Sequence, residues 1–126
     1  MQSVLTGNLR PVAQAKLQTF GLDRLLDLDV GAYGSDDLVR ARLVGIARAR
    51  ASRKYQARFD SAATVLIGDT PSDVKAALEG GARVVAVASG SNTAEELQQA
   101  GAGVVLPDLQ DSERLVRAVL TPGLPA

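Results

Sequence analysis

The sequence contains no cysteine, which excludes disulfides, thiolate metal sites and a cysteine nucleophile. It contains no histidine either, so Ser-His-Asp chemistry, His-ligated zinc and histidine general bases are all excluded. Any catalysis is left to carboxylates, hydroxyls, basic side chains and backbone amides. Tryptophan is absent and aromatics are 3% of residues, although 46% are hydrophobic. A core must therefore be built from Val, Leu, Ile and Ala, as is usual in parallel α/β packing. Neither sign of charge is in excess, with 14 Lys plus Arg and 14 Asp plus Glu. That balance speaks against nucleic acid or an acidic membrane as a partner. No apolar run approaches the roughly 18 residues of a membrane span, and nothing at the start reads as a signal peptide. A cytoplasmic protein is expected.

What is present is an alternation of short β-branched runs with longer helical stretches. The 126 residues suit one domain, read as residues 1–120 with a loose tail at 121–126. Ser3 to Thr6 reads as the end of a strand, and Leu9 to Phe20 as a helix with Pro11 in its first turn and Gly21 closing it. Leu26 to Val30 alternates apolar and polar residues, the signature of a strand with one wet face. From Gly34-Ser35 a helix is expected, with Val39, Leu43 and Ile46 on one face and Asp36 and Asp37 in its first turn. Thr64 to Ile67 is a continuous apolar run, expected as a buried central strand. A helix over Pro71 to Glu79, stopped by Gly80-Gly81, leads to a strand over Arg83 to Ala88. Thr93 to Glu96 has capping-box spacing and opens a short helix ended by Gly101. Val104 to Leu106 forms a last strand and Ser112 to Leu120 a last helix. The fold class is α/β: a Rossmann-like parallel sheet with helices on both faces.

In open α/β sheets, ligands bind at the C-terminal ends of strands. Two strand ends carry informative residues. At Thr6-Gly7-Asn8, a hydroxyl and successive backbone amides just before a helix make good donors to a phosphoryl oxygen. The plainer reading is a turn in which Thr6 or Asn8 caps the next helix. At Gly68-Asp69-Thr70-Pro71-Ser72-Asp73, an apolar strand delivers Asp69 to its tip and Asp73 follows near a helix start. Two carboxylates this close repel unless a cation lies between them, and hard oxygen ligands suit magnesium. Manganese would suit the same oxygens. The structural alternative makes Asp73 a favourable first-turn charge. It leaves Asp69 unexplained, since a carboxylate at the end of a buried strand is costly without a partner.

These pieces together resemble a known family. VLTGN at 4–8, GDTPSD at 68–73, VAVASG at 85–90, then TAEELQQAGA and VVLPDL are similar to the second half of a haloacid dehalogenase-type (HAD) phosphatase of the phosphoglycolate phosphatase-like group. The resemblance runs from Val4 to about Leu109, with the pieces in the family's order. It implies magnesium-dependent hydrolysis of small phosphate monoesters through an aspartyl-phosphate. It also implies that Thr6 holds the transferring phosphoryl group, with Gly7 and Asn8 adding amide contacts. Asp69 and Asp73 match the family's metal-binding acids. Arg40 is the best match to a basic residue, usually lysine, at the start of the helix preceding the acidic strand; Arg42 and Lys54 are alternatives.

The departure concerns the family's first strand, whose apolar run ends in a DxDG motif carrying the nucleophile and the acid-base residue. No such run precedes Thr6 in this sequence, and the substrate-selecting cap is also missing. Asp27-Leu28-Asp29-Val30-Gly31 imitates the motif, but its position after Thr6 reads as a charged edge strand. The expectation is thus a partial core, inactive alone and weakly stable. It would self-associate or require a complementing chain, and the complete enzyme would act on a small phosphorylated metabolite. The alternative is a non-enzymatic metal- or phosphate-binding remnant or interaction module. Seven basic residues and no acid lie between Leu38 and Phe59, a run read as a solvated helix face balanced elsewhere.

Overall fold

The computed structural model describes residues 1–120; the expected tail at 121–126 lies outside the described residues. The chain divides into two compact units, Met1–Phe59 and the part from Asp60 onward.

In the first unit, α1 spans Arg10–Thr19, with Pro11 in its opening turn. Gly21 follows at φ +69° and Leu22 N–H reaches back to Leu17 O at 2.9 Å, closing the helix as expected. A short 3₁₀ turn follows at Asp23–Leu25. The strand expected over Leu26 to Val30 does not form: Asp27 Oδ1 accepts the Asp29 N–H at 3.2 Å and bends the chain into a turn. Parallel pairing comes later, as an isolated bridge between Leu5 and Ala32. It is held by Ala32 N–H to Val4 O and Thr6 N–H to Ala32 O, both 3.1 Å.

The next helix also differs from expectation. α2 spans Arg40–Tyr55 and does not start at Gly34. Asp36 accepts the Tyr33 N–H at 2.9 Å and Asp37 accepts the Val39 N–H at 2.9 Å. These local bonds compete with helix formation. Both acids therefore belong to the loop before α2. Val39 is exposed, while Leu43, Val44 and Ala51 are the buried positions of α2.

The second unit is a three-stranded parallel sheet of order β1-β2-β3, with strands Val65–Gly68, Arg83–Val87 and Val104–Leu106. Helix α3, Pro71–Gly80, links β1 to β2; α4, Ala94–Gln99, links β2 to β3; α5, Ser112–Leu120, follows. Register runs from Val65↔Arg83 to Gly68↔Ala86, and from Val85↔Val104 to Val87↔Leu106. The central β2 is buried from Val84 to Val87, and Val74, Leu97 and Leu106 pack at 2% exposure or less. Each such side chain contributes roughly 1.5–3 kcal/mol by leaving water.

The strand expected to be central is an edge. β1 has a strand neighbour on one side only among the described residues, and Ile67 is 48% exposed. An apolar run signals burial on both faces, but the flanking strand must come from the rest of the fold. The fold is α/β and Rossmann-like.

Candidate functional site

The first unit carries Thr6, Gly7, Asn8 and Arg40. Thr6 Oγ1 accepts the Asn8 N–H at 3.1 Å, so the hydroxyl builds the turn that ends the Leu5 bridge. Asn8 O in turn accepts the Gly34 N–H at 2.8 Å. Gly34 must be glycine here, because a Cβ would overlap Gly7 O and stand 2.8 Å from its carbonyl carbon. The bare Gly34 backbone therefore backs the 6–8 turn. Of the two expected amides, Gly7 and Asn8, that of Asn8 is already bonded to Thr6.

Arg40 is exposed and is the first residue of α2, the helix preceding β1. Its two alternatives are held elsewhere. Arg42 lies 3.7 Å from Asp37 and is 71% exposed. Lys54 sits in the last turn of α2, about 21 Å along the helix from Arg40. Its Nζ bridges Asp27 at 2.9 Å and Asp29 at 3.4 Å. Asp29 also pairs with Arg10 at 2.7 Å, and the Tyr55 hydroxyl donates to Asp27. The Tyr55 hydroxyl, and after it Lys54, hold the Asp27 carboxyl below its ordinary value, while the Asp27 hydrogen bond raises Lys54. The acids of the DxD-like segment are thus engaged by Lys54 at the end of α2, by Arg10 of α1 and by the Tyr55 hydroxyl. Arg50 adds a two-point pair with Asp36 at 2.7 and 2.9 Å. An open concavity of about 570 Å³ in this unit is lined by Arg10, Arg24, Asp27, Asp29 and Tyr55, among others. Thr6, Gly7, Asn8 and Arg40 do not line it, so it is separate from the residues singled out by sequence.

The second unit brings Asp69 and Asp73 together at the β1–α3 junction. Thr70 caps α3 by accepting the Asp73 N–H at 3.2 Å. Asp73 Oδ2 returns the bond, accepting the N–H groups of Thr70 at 3.2 Å and Asp69 at 3.1 Å. Thr70 and Asp73 thus form a complete capping box. The structural role considered for Asp73 is realised more fully than a dipole charge requires. Gly68 is pressed against this box: a Cβ there would overlap Cβ of Asp73 and stand 2.8 Å from its Oδ2.

Asp69 is exposed, so the desolvation argument made for it from a buried strand does not apply. Its carboxylate has no hydrogen bond or ion pair with another described residue; only its N–H is engaged, by Asp73. No third acidic side chain joins the pair among the described residues. Two neighbouring carboxylates, one without a partner, suit a magnesium ion that keeps several waters. Gly90, just past β2, brings its Cα beside the Asp69 carboxylate. Sequence reasoning named Gly68 and Gly90 within motifs and Gly34 as a helix start, and missed that each meets another residue closely. The available signal was a glycine at or just beyond a strand's C-terminal end, where backbones approach closely.

The comparisons with known proteins agree with this architecture. The model of the HAD-hydrolase-like family matches residues 37–112, more than half of the chain. The chain belongs to that family. Among solved structures, the crystal structure of a predicted phosphatase from Clostridium acetobutylicum is similar with a TM-score of 0.73. The identity is 22%, over 92% of this chain and 51% of the other, and at that level the likeness is one of fold. The chain spans about half the length of that phosphatase. No curated protein matches the sequence. No helix among the described residues is long and apolar enough to cross a membrane.

Proposed function

We propose that this chain supplies the phosphate- and metal-binding part of a HAD-type phosphatase acting on small phosphate monoesters. The observation that carries the reading is Asp69, an exposed carboxylate at the tip of β1 without a side-chain partner among the described residues. Asp73 is fixed beside it, in a chain of the HAD-hydrolase-like family.

Asp69 and Asp73 would hold magnesium, which when bound offsets the charge of the phosphoryl group and of the attacking carboxylate. The Thr6 hydroxyl and the Gly7 and Asn8 backbone would orient the phosphoryl oxygens. Arg40, a permanent cation at the start of α2, would stabilise the charge that develops on them. The bond-breaking step requires a carboxylate nucleophile. Its oxygen attacks phosphorus, the ester oxygen leaves with a proton from a neighbouring acid, and water then hydrolyses the aspartyl-phosphate. This sequence contains no apolar run ending in DxDG, and the Asp27–Asp29 imitation is tied to Lys54, Arg10 and Tyr55. The chain by itself is therefore expected to release no phosphate.

The test is to add a separately expressed DxDG-bearing segment of a family member, with magnesium and a chromogenic phosphate monoester. Restored release that is lost again with Asp69→Asn supports the reading. Continued silence favours a second reading, a non-enzymatic metal- or phosphate-binding module.

A further inference from the structure

The turn after β2 runs against the tip of β1. A Cβ at Gly90 would lie 2.7 Å from Asp69 Oδ2, 3.4 Å from its Cγ and 3.7 Å from its Cβ, and these are its three nearest contacts. The Gly90 backbone is not in the left-handed region occupied by Gly21, Gly81 and Gly101. Its φ therefore places no demand on residue type. What a side chain at this position would meet is the carboxylate of Asp69, 21 residues earlier in sequence.

We propose that Gly90 is a positioning residue for Asp69: its bare Cα sets where that carboxylate can sit, and hence how well it takes a divalent cation. This rests on the reading of Asp69 as a cation ligand. The two glycines at this junction differ in what they control. At Gly68 the first atom met is Cβ of Asp73, close to the α3 backbone, so a methyl there disturbs the capping box and the fold. At Gly90 the first atom met is the free end of a side chain. Rotation of an aspartate about its terminal torsion is cheap, so a methyl displaces the carboxylate and spares the backbone. Groups that orient a metal ligand without touching the metal commonly change affinity by roughly 10- to 100-fold.

The experiment uses the full chain with Mn²⁺ as the probe, followed by electron paramagnetic resonance. Wild type, Gly90→Ala and Asp69→Asn are compared, with metal-free thermal melts of each. The ¹³C carboxyl resonance of Asp69, assigned by its loss in Asp69→Asn, is followed in Gly90→Ala without metal. The expected result for Gly90→Ala is an unchanged metal-free melt, a shifted Asp69 carboxyl resonance and Mn²⁺ affinity lowered roughly tenfold. If Asp69→Asn weakens Mn²⁺ binding but Gly90→Ala binds as wild type with an unmoved resonance, the positioning role is overturned and the metal reading stands. If wild type binds no Mn²⁺, or Asp69→Asn binds as well as wild type, the metal reading is overturned and this proposal with it. A Gly90→Ala chain that melts much earlier without metal assigns the effect to folding and also overturns it.

Discussion

Asp73 accepts the backbone N–H of Asp69 through Oδ2 at 3.1 Å, across the turn that joins β1 to α3. The second carboxylate of the pair therefore builds the turn that presents the first. Structure and proposed chemistry are superimposed at Asp73, whereas the Asp69 side chain makes no bond among the described residues. The two acids should accordingly separate under mutation. Asp73→Ala removes half of the capping box and should cost about 1 kcal/mol in urea unfolding. Asp69→Asn should be close to neutral. Thr70→Ala belongs to the same box as Asp73, so the double substitution should cost less than the sum of the singles. Strict additivity would count against a shared box.

Acid sensitivity should be traceable to Asp36. Its carboxyl is held below the ordinary value of 3.8, first by the hydrogen bonds from Arg50 and then by the Tyr33 backbone N–H. The folded-state pKa lies below the unfolded one. The stabilisation is thus fully present above the unfolded value and is lost as pH falls through the folded one. Urea midpoints measured from pH 6 down to pH 2 should fall below about pH 4 in the wild type. Asp36→Asn should start lower and show a shallower acid limb. Identical limbs in the two proteins would show that the Asp36–Arg50 pair contributes nothing.

Gly34 and Gly45 make opposite predictions for one chemical change. A methyl at Gly34 overlaps the carbonyl of Gly7, so Gly34→Ala should destabilise by about 1–3 kcal/mol through overpacking. It should also disturb the Thr6–Asn8 turn. Gly45 lies inside α2, and a methyl added there would meet nothing within 4 Å. Gly45→Ala should therefore stabilise by about 0.5–1 kcal/mol. Denaturation midpoints of the two variants, taken together, check both claims.

Arg83 anchors α5 at its C-terminal end. Its guanidinium donates to Ala118 O and Val119 O, while its Nε donates to Ala62 O at 2.9 Å. No residue of α5 is fully buried, so this contact carries much of what ties the helix down. Arg83→Met keeps the stem and removes the donors. Amide exchange in α5 should rise at least several-fold, with β2 and α3 little changed. Unchanged protection of α5 would mean that its packing suffices without the arginine.

Much of the fold was legible because its signals are local. The ends of α1 and α3 follow from Gly21 and Gly81, whose φ values of +69° and +80° suit glycine. The Thr93–Glu96 box was readable from spacing alone and forms with both reciprocal bonds. β2 and β3 form where the β-branched runs stand. The ordered motifs also pointed to the HAD family, whose model then matched residues 37–112. Where the secondary structure expected before β1 failed to form, a polar side chain chose a local partner over the regular pattern. Asp27 turned Leu26–Val30 away from a strand, and Asp36 and Asp37 delayed α2 to Arg40.

By itself the sequence determined the alternating βα order, the helix stops, the absence of thiol and imidazole chemistry, and the placing of Asp69 and Asp73 at one strand end. These follow from propensities and spacings that act over a few residues. Only the tertiary structure decided that Ala32 carries the bridge to Leu5, that Lys54 closes on Asp27 and Asp29, and that β1 is an edge with Asp69 exposed. It alone set Gly90 against Asp69. Each of these depends on residues distant in sequence, and such contacts arise only when packing closes the chain on itself.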